Sequence, residues 1–167
     1  MNESYAEASV RRRTTMSDRL IKAAIIALIV FFVIFGVLLI GQFAILVATV
    51  LIVVAVFLFP RFNVEYEYVF CDGQLDFDKI MGNAKRKNAL RIDFEKVEMM
   101  APVNSHALDA YTHQQLKVKD FTSLNPEANV YAIIARSENE VLKILFEPSE
   151  KMLACIKQKA PRKLSEY

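Results

Sequence analysis

The chain has 167 residues, enough for one ordinary domain and an appendage. Its net charge is +2, but residues 1–22 hold five basic and three acidic side chains while residues 61–167 hold sixteen of each. A C-terminal part without net charge excludes bulk attraction to a polyanion, so nucleic acid is not an expected partner.

Residues 1–19 read as a flexible basic tail, with Arg11, Arg12, Arg13 and Arg19 ahead of an apolar run. From Ala23 to Phe59 no charged residue occurs, and only Gly36, Gly41, Gln42 and Thr49 interrupt the hydrophobic side chains. One helix of that length would be about 55 Å long, against a hydrocarbon core of about 30 Å, more than tilt absorbs. A break at Gly41-Gln42 gives two transmembrane helices, about residues 20–40 and 43–59, and so a membrane α-helical hairpin. A signal peptide has an apolar region of only about 7–15 residues, too short for this run. One long tilted helix is the alternative, and it would put the rest of the chain outside. Ala23, Ala24 and Ala27 on the first helix and Ala44, Ala48 and Ala55 on the second are small enough for close approach. The basic flank, including Lys22, predicts a cytoplasmic N-terminus. The hairpin then returns the chain to that side at Arg61. The expected location is the cell membrane, with two spans and both termini in the cytoplasm.

After Pro60 the period becomes two, and residues 61–167 are expected to form a cytoplasmic domain. Val64, Tyr66, Tyr68 and Phe70 alternate with Glu65 and Glu67. Asp72-Gly73 signals a hairpin into Gln74–Ile80, and Gly82-Asn83 a second turn. Leu90, Ile92 and Phe94 make a third strand and Glu95–Ala101 a fourth, stopped by Pro102. Val103–Gln115 is less regular and reads as a short helix. Strands resume at Leu116–Phe121, Asn129–Ala135 and Val141–Phe146, with a polar turn at Ser137–Glu140. Pro148 then opens an amphipathic helix carrying Met152, Leu153 and Ile156 on one stripe, which Pro161 stops. Cys71 and Cys155 form no CxxC or zinc pattern and read as free thiols, a single bridge between them being the alternative.

Seven strands and a capping C-terminal helix resemble a pleckstrin-homology-like (PH-like) barrel, mainly β in an α+β arrangement, with two antiparallel sheets closed at one end by the helix. The segments Glu95-Lys96-Val97-Glu98-Met99-Met100-Ala101-Pro102, Lys119-Asp120-Phe121-Thr122-Ser123 and Phe146-Glu147-Pro148-Ser149-Glu150-Lys151-Met152 are similar to those of a family of small, uncharacterised bacterial membrane proteins from Gram-positive anaerobes. That resemblance implies the architecture, a transmembrane hairpin followed by a PH-like domain of unknown function, and no activity.

Lys85-Arg86-Lys87 is placed in the turn between the second and third strands and, with Lys79 and Arg91, forms a basic cluster. Near a bilayer each such residue gains about 1 kcal/mol from anionic lipid, so this cluster is the candidate contact with headgroups; an ordinary solvated turn is the alternative. His106, Asp109 and His113 are the one gathering of metal-type ligands. On a helix their spacing would put all three on one face, and three such ligands with an open position would resemble a catalytic zinc site. Asp120, Thr122 and Ser123 read as a strand end bonding its own backbone. No P-loop, nucleophile elbow or Rossmann glycine pattern occurs in the sequence.

No metal or other cofactor is expected. The expected function is a membrane-tethered, non-enzymatic interaction module whose partners are the bilayer, anionic headgroups and an unidentified protein. The alternatives are a metal-dependent enzyme built on His106, Asp109 and His113, and a structural subunit of a membrane complex.

Overall fold

The long apolar run folds as a helical pair and the alternating segments as strands, in a computed structural model that describes residues 5–36, 38, 41–82, 85–137 and 140–165. Contacts divide the chain into two units. One is Arg13–Val64 with Met81–Lys85; the other is Met1–Arg12 with Glu65–Ile80 and Arg86–Tyr167.

In the helical unit, α1 (Met16–Ile34) starts from a capping box: Asp18 N donates to Thr15 Oγ1 at 3.2 Å, and Thr15 N donates to Asp18 Oδ2 at 2.8 Å. The helix therefore begins four residues before the expected Leu20. Gly41, at φ +65°, takes the left-handed conformation ahead of α2 (Phe43–Leu58). Residues 37, 39 and 40, the last part of the expected first helix, lie outside the described residues. α2 tightens into a 3-10 helix at Phe59–Phe62, where Pro60 has no N–H to donate.

The two helices pack against each other. Ala44, Ala48 and Ala55 are buried, but on α1 no residue is, so Ala23, Ala24 and Ala27 do not make the close approach. Gly36 makes it instead: a β-carbon there would lie 2.9 Å from Ala44 Cβ. The one polar side chain within α2, Thr49, donates its hydroxyl to Ile45 O at 2.8 Å. Most large apolar side chains of both helices point outward, among them Ile26, Phe31, Ile45, Leu46, Val56 and Phe57. Among the described residues one helix is long and apolar enough to cross a membrane, Phe43–Phe62, with mean hydropathy 2.9. α1 carries Asp18, Arg19 and Lys22 in its first turns.

The second unit holds two four-stranded sheets and a terminal helix, without barrel closure. The first sheet runs β1 (Tyr5–Arg11), β2 (Val64–Cys71), β3 (Gln74–Met81), β4 (Lys85–Asp93) in that order. The second has the order β5 (Val97–Pro102), β7 (Tyr131–Ser137), β8 (Glu140–Phe146), β6 (Leu116–Asp120). The inner faces meet in aromatic contacts: Tyr68 and Phe77 each lie 5.6 Å from Phe146, and Phe77 stacks on Phe121 at 4.8 Å. α3 (Glu150–Lys159), capped by Ser149, adds Met152 and Ile156 to this core and packs on β1.

Three expectations are corrected here. Residues 5–11 are not a flexible tail but an edge strand, antiparallel to β2 with Tyr5 opposite Cys71 and Arg11 opposite Glu65. The sheets are not both antiparallel, because β6 runs parallel to β8. Lys85, Arg86 and Lys87 stand in β4 rather than in a turn. Asn83 and residues 138 and 139, parts of two expected turns, lie outside the described residues. Eight strands are described where seven were expected, and the helical unit is inserted between β1 and β2.

Candidate functional site

The polar face of the first sheet is a chain of ion pairs crossing its strands. Asp78, nearly buried on β3, accepts from Arg86 Nε at 2.7 Å and from Asn88 Nδ2 at 2.9 Å. Arg86 also reaches Glu67 on β2, Nη2 to Oε2, at 3.1 Å. Glu67 is in turn hydrogen-bonded to Glu7 on β1, whose carboxylate accepts from the Tyr5 hydroxyl at 2.7 Å. Burial first, and then the bond to Glu7, hold the Glu67 carboxyl above its ordinary range, while Arg86 opposes them. Glu7 moves the other way, lowered by its bonds to Tyr5 and Glu67.

This network changes the reading of the basic cluster. Arg86 is committed to Asp78 and Glu67, and Arg91 forms a two-pronged pair with Asp76, Nε to Oδ1 and Nη2 to Oδ2, at 2.5 and 2.9 Å. Lys85 and Lys87 are exposed on β4, and Lys79 is half-buried on β3. Two of the five candidate headgroup residues are therefore already neutralised by carboxylates on neighbouring strands. Asp76 and Asp78 on one strand and Arg86 and Arg91 on the next were the available signal, and it requires knowing that β3 and β4 pair.

The candidate metal residues are not brought together. His106–Tyr111 is a 3-10 helix, with three residues per turn, and His113 lies beyond it in a turn. His106 Nδ1 sits 3.2 Å from Asp109 Oδ2, with the imidazole fully exposed. Among the described residues no three His, Cys, Asp or Glu side chains converge on one point. Leu108 from this segment instead covers a second small core on the outer face of the second sheet, with Ala101, Ala132 and Ile134. A cleft of about 530 Å³ lies beside it, lined by His106, Tyr111, Leu116, Ile134 and Lys143 among others.

Asp120 and Thr122 bond locally, while Ser123 reaches the chain after β8. Asp120 Oδ1 accepts from Thr122 N at 2.9 Å and from its hydroxyl at 2.7 Å, and Ser123 N donates to Glu147 Oε1 at 2.6 Å. This segment also presents the Phe121 carbonyl to the Tyr68 hydroxyl in the core. Burial pushes Tyr68 far above the usual phenol range, which keeps it a proton donor to that carbonyl. A further cleft of about 510 Å³ lies between the β2–β3 turn and the chain after α3. Two of its lysines are engaged: Lys159 pairs with Asp72 at 2.5 Å, and Lys163 donates to the carbonyls of Phe94 and Glu95. Past it, residues 163–165 bond to both backbone groups of Met100 and cover the edge of β5. Cys71 and Cys155 are both free thiols.

Two sheets with a C-terminal helix packed on them fit a PH-like α+β domain. The chain belongs to the family described as Bacterial PH-like domain (DUF6106), whose model matches residues 2–166. The helical insert and the sheets fall within one match. No curated protein and no solved structure matches the chain.

Proposed function

We propose that this protein is a membrane-tethered, non-enzymatic interaction module: a helical hairpin spans the bilayer twice and holds the PH-like domain at its cytoplasmic face. The observation that carries this reading is the pairing of β1 with β2 across the insert. The chain leaves the sheet at Arg11 and returns opposite it at Glu65. Strands that flank a membrane segment and share hydrogen bonds must lie on one side of the bilayer, so the number of crossings is even. A single tilted rod is incompatible with that register.

The helices support the reading through what they expose. Leaving so many large apolar side chains in water would cost about 25 cal/mol per Å² of apolar surface. A hydrocarbon surrounding removes that cost, and Phe43–Phe62, at about 30 Å, has the length to traverse it. All charged residues between Arg13 and Arg61 lie near the two ends of that stretch, and four of the five are basic, which favours the cytoplasm for those ends. PH-like domains generally bind rather than catalyse, and the ion-paired sheet face and open strand edge of β4 offer surfaces to a partner. The parts of the headgroup cluster left free to meet lipid are Lys79, Lys85 and Lys87.

Sided labelling tests the arrangement. Cys71 is exposed, so a membrane-impermeant thiol reagent should leave it unlabelled in intact cells and label it after permeabilisation. Labelling in intact cells would place the domain outside and overturn the orientation.

A further inference from the structure

We infer that the base of the hairpin is a cationic collar that binds anionic phospholipid headgroups, built from Arg13, Arg19, Lys22, Arg61 and Lys85 rather than from the arginines of β4. The inference rests on the membrane-spanning reading above and names its lipid partner.

The helical unit brings these five residues to one end. Arg19 and Lys22 lie in the first two turns of α1, and Arg13 lies just before it. Arg61 lies in the 3-10 helix at the end of α2. Lys22 Nζ sits over the Phe62 ring at 5.2 Å, which fixes the start of α1 beside the end of α2. The turn after β3 joins them: Gly82 N donates to Asn63 O at 3.0 Å, and a β-carbon on Gly82 would meet Pro60 Cβ at 2.8 Å. That contact holds the turn, and Lys85 just beyond it, at the same end.

Charge selects the occupant. This unit carries those five cations and one acid, Asp18, and from Ala23 to Pro60 it carries no charge at all. Arg86 and Arg91, by contrast, are each held by an aspartate. Four of them, Arg13, Arg19, Arg61 and Lys85, are exposed. Five cations against one acid, at the boundary between an apolar rod and water, match a bilayer surface bearing lipid phosphates and a net negative headgroup. The double commitment of Arg86 leaves it little capacity for a third anion.

The test uses the full-length chain reconstituted in phosphatidylcholine membranes with trace spin-labelled lipid, either phosphatidylglycerol or phosphatidylcholine. Electron paramagnetic resonance reads the motionally restricted lipid at the protein surface. The expected result is a preference for phosphatidylglycerol on the order of threefold or more. It should fall toward one in 1 M NaCl and in the variant Arg13→Gln, Arg19→Gln, Arg61→Gln, Lys85→Gln. Replacing Lys119 and Lys151 by Gln should leave it intact. Equal restriction of both lipids by the natural chain, or a preference that survives the four substitutions, overturns the collar while leaving the spanning hairpin in place. Absence of any restricted lipid overturns the hairpin and the collar together.

Discussion

Tyr68 shows how one polar atom is accommodated in this core. Its ring packs between Phe77 and Phe146, and its hydroxyl must find an acceptor because it lies out of reach of water. The Phe121 carbonyl supplies it. Tyr68→Phe keeps the ring and leaves that carbonyl unpaired, so it should lower stability by about 1–3 kcal/mol, read as a lowered thermal midpoint. An unchanged midpoint would mean that water serves the carbonyl. The Glu7–Glu67 pair predicts a pH effect. The folded-state pKa of Glu67 lies above the ordinary carboxylate value of 4.5, so its contribution is fully present below that value and is lost as pH rises through the raised pKa. Glu7 is lowered, and its own contribution is lost only as pH falls below 4.5. Glu7→Gln removes the shared carboxylate, leaving burial opposed by Arg86. Chemical unfolding between pH 4.5 and 7 should then show a shallower decline with pH than in the natural chain, and an identical slope would exclude the pair.

At the scale of elements, β1 is the piece whose role depends most on distant chain. Its alternation is present, with Ala6, Ala8 and Val10 opposed to Glu7, Ser9 and Arg11, but two of the inward residues are alanines that bury little area. Helix α3 and strand β2 complete its surroundings, and Ala6 is fully buried opposite Phe70. Ala6→Asp should therefore cost about 3 kcal/mol or more, since it places an unpaired carboxylate in the core. Arg11→Gln, on the exposed face of the same strand, should shift stability by no more than about 0.5 kcal/mol. Equal midpoints for the two variants would show that β1 is not an integral strand. The 3-10 segment at His106–Tyr111 gives the opposite lesson. His106 and Asp109, with His113 beyond the segment, suggested a ligand set at helical spacing, whereas its structural contribution is Leu108, seated on the outer face of the second sheet.

At the scale of the molecule, an apolar hairpin interrupts the first sheet without disturbing its register. Arg11 stands opposite Glu65, so continuing the ladder brings Arg12 opposite Val64. Replacement of residues 13–63 by Asn-Gly should therefore close β1 and β2 as an ordinary two-residue hairpin. The product is expected to be a water-soluble monomer with one cooperative unfolding transition, measured by gel filtration and circular dichroism. Aggregation, or loss of the cooperative transition, would mean that the sheets need the helical unit to fold. The insert also sets an order of assembly. β1 is made first and β2 only after more than fifty further residues, so their pairing closes a long loop.

Local chemistry by itself determined the apolar run and its break at Gly41, the β2–β3 hairpin at Asp72-Gly73, the strands β5 to β8 and the terminal helix, although Pro148, expected in its first turn, stands before the Ser149 cap. Each is written in periodicity, capping residues or turn residues that act over a few positions. Four features were decided only by tertiary structure: the entry of residues 5–11 into the sheet, the parallel placement of β6 beside β8, the extension of β4 through Lys85–Lys87, and the neutralisation of Arg86 and Arg91. Each depends on which strand lies alongside, and pairing between segments far apart in the chain leaves no short-range signature. The small side chains of β1 and the charged ones of β4 acquire their roles from neighbours brought in by the fold.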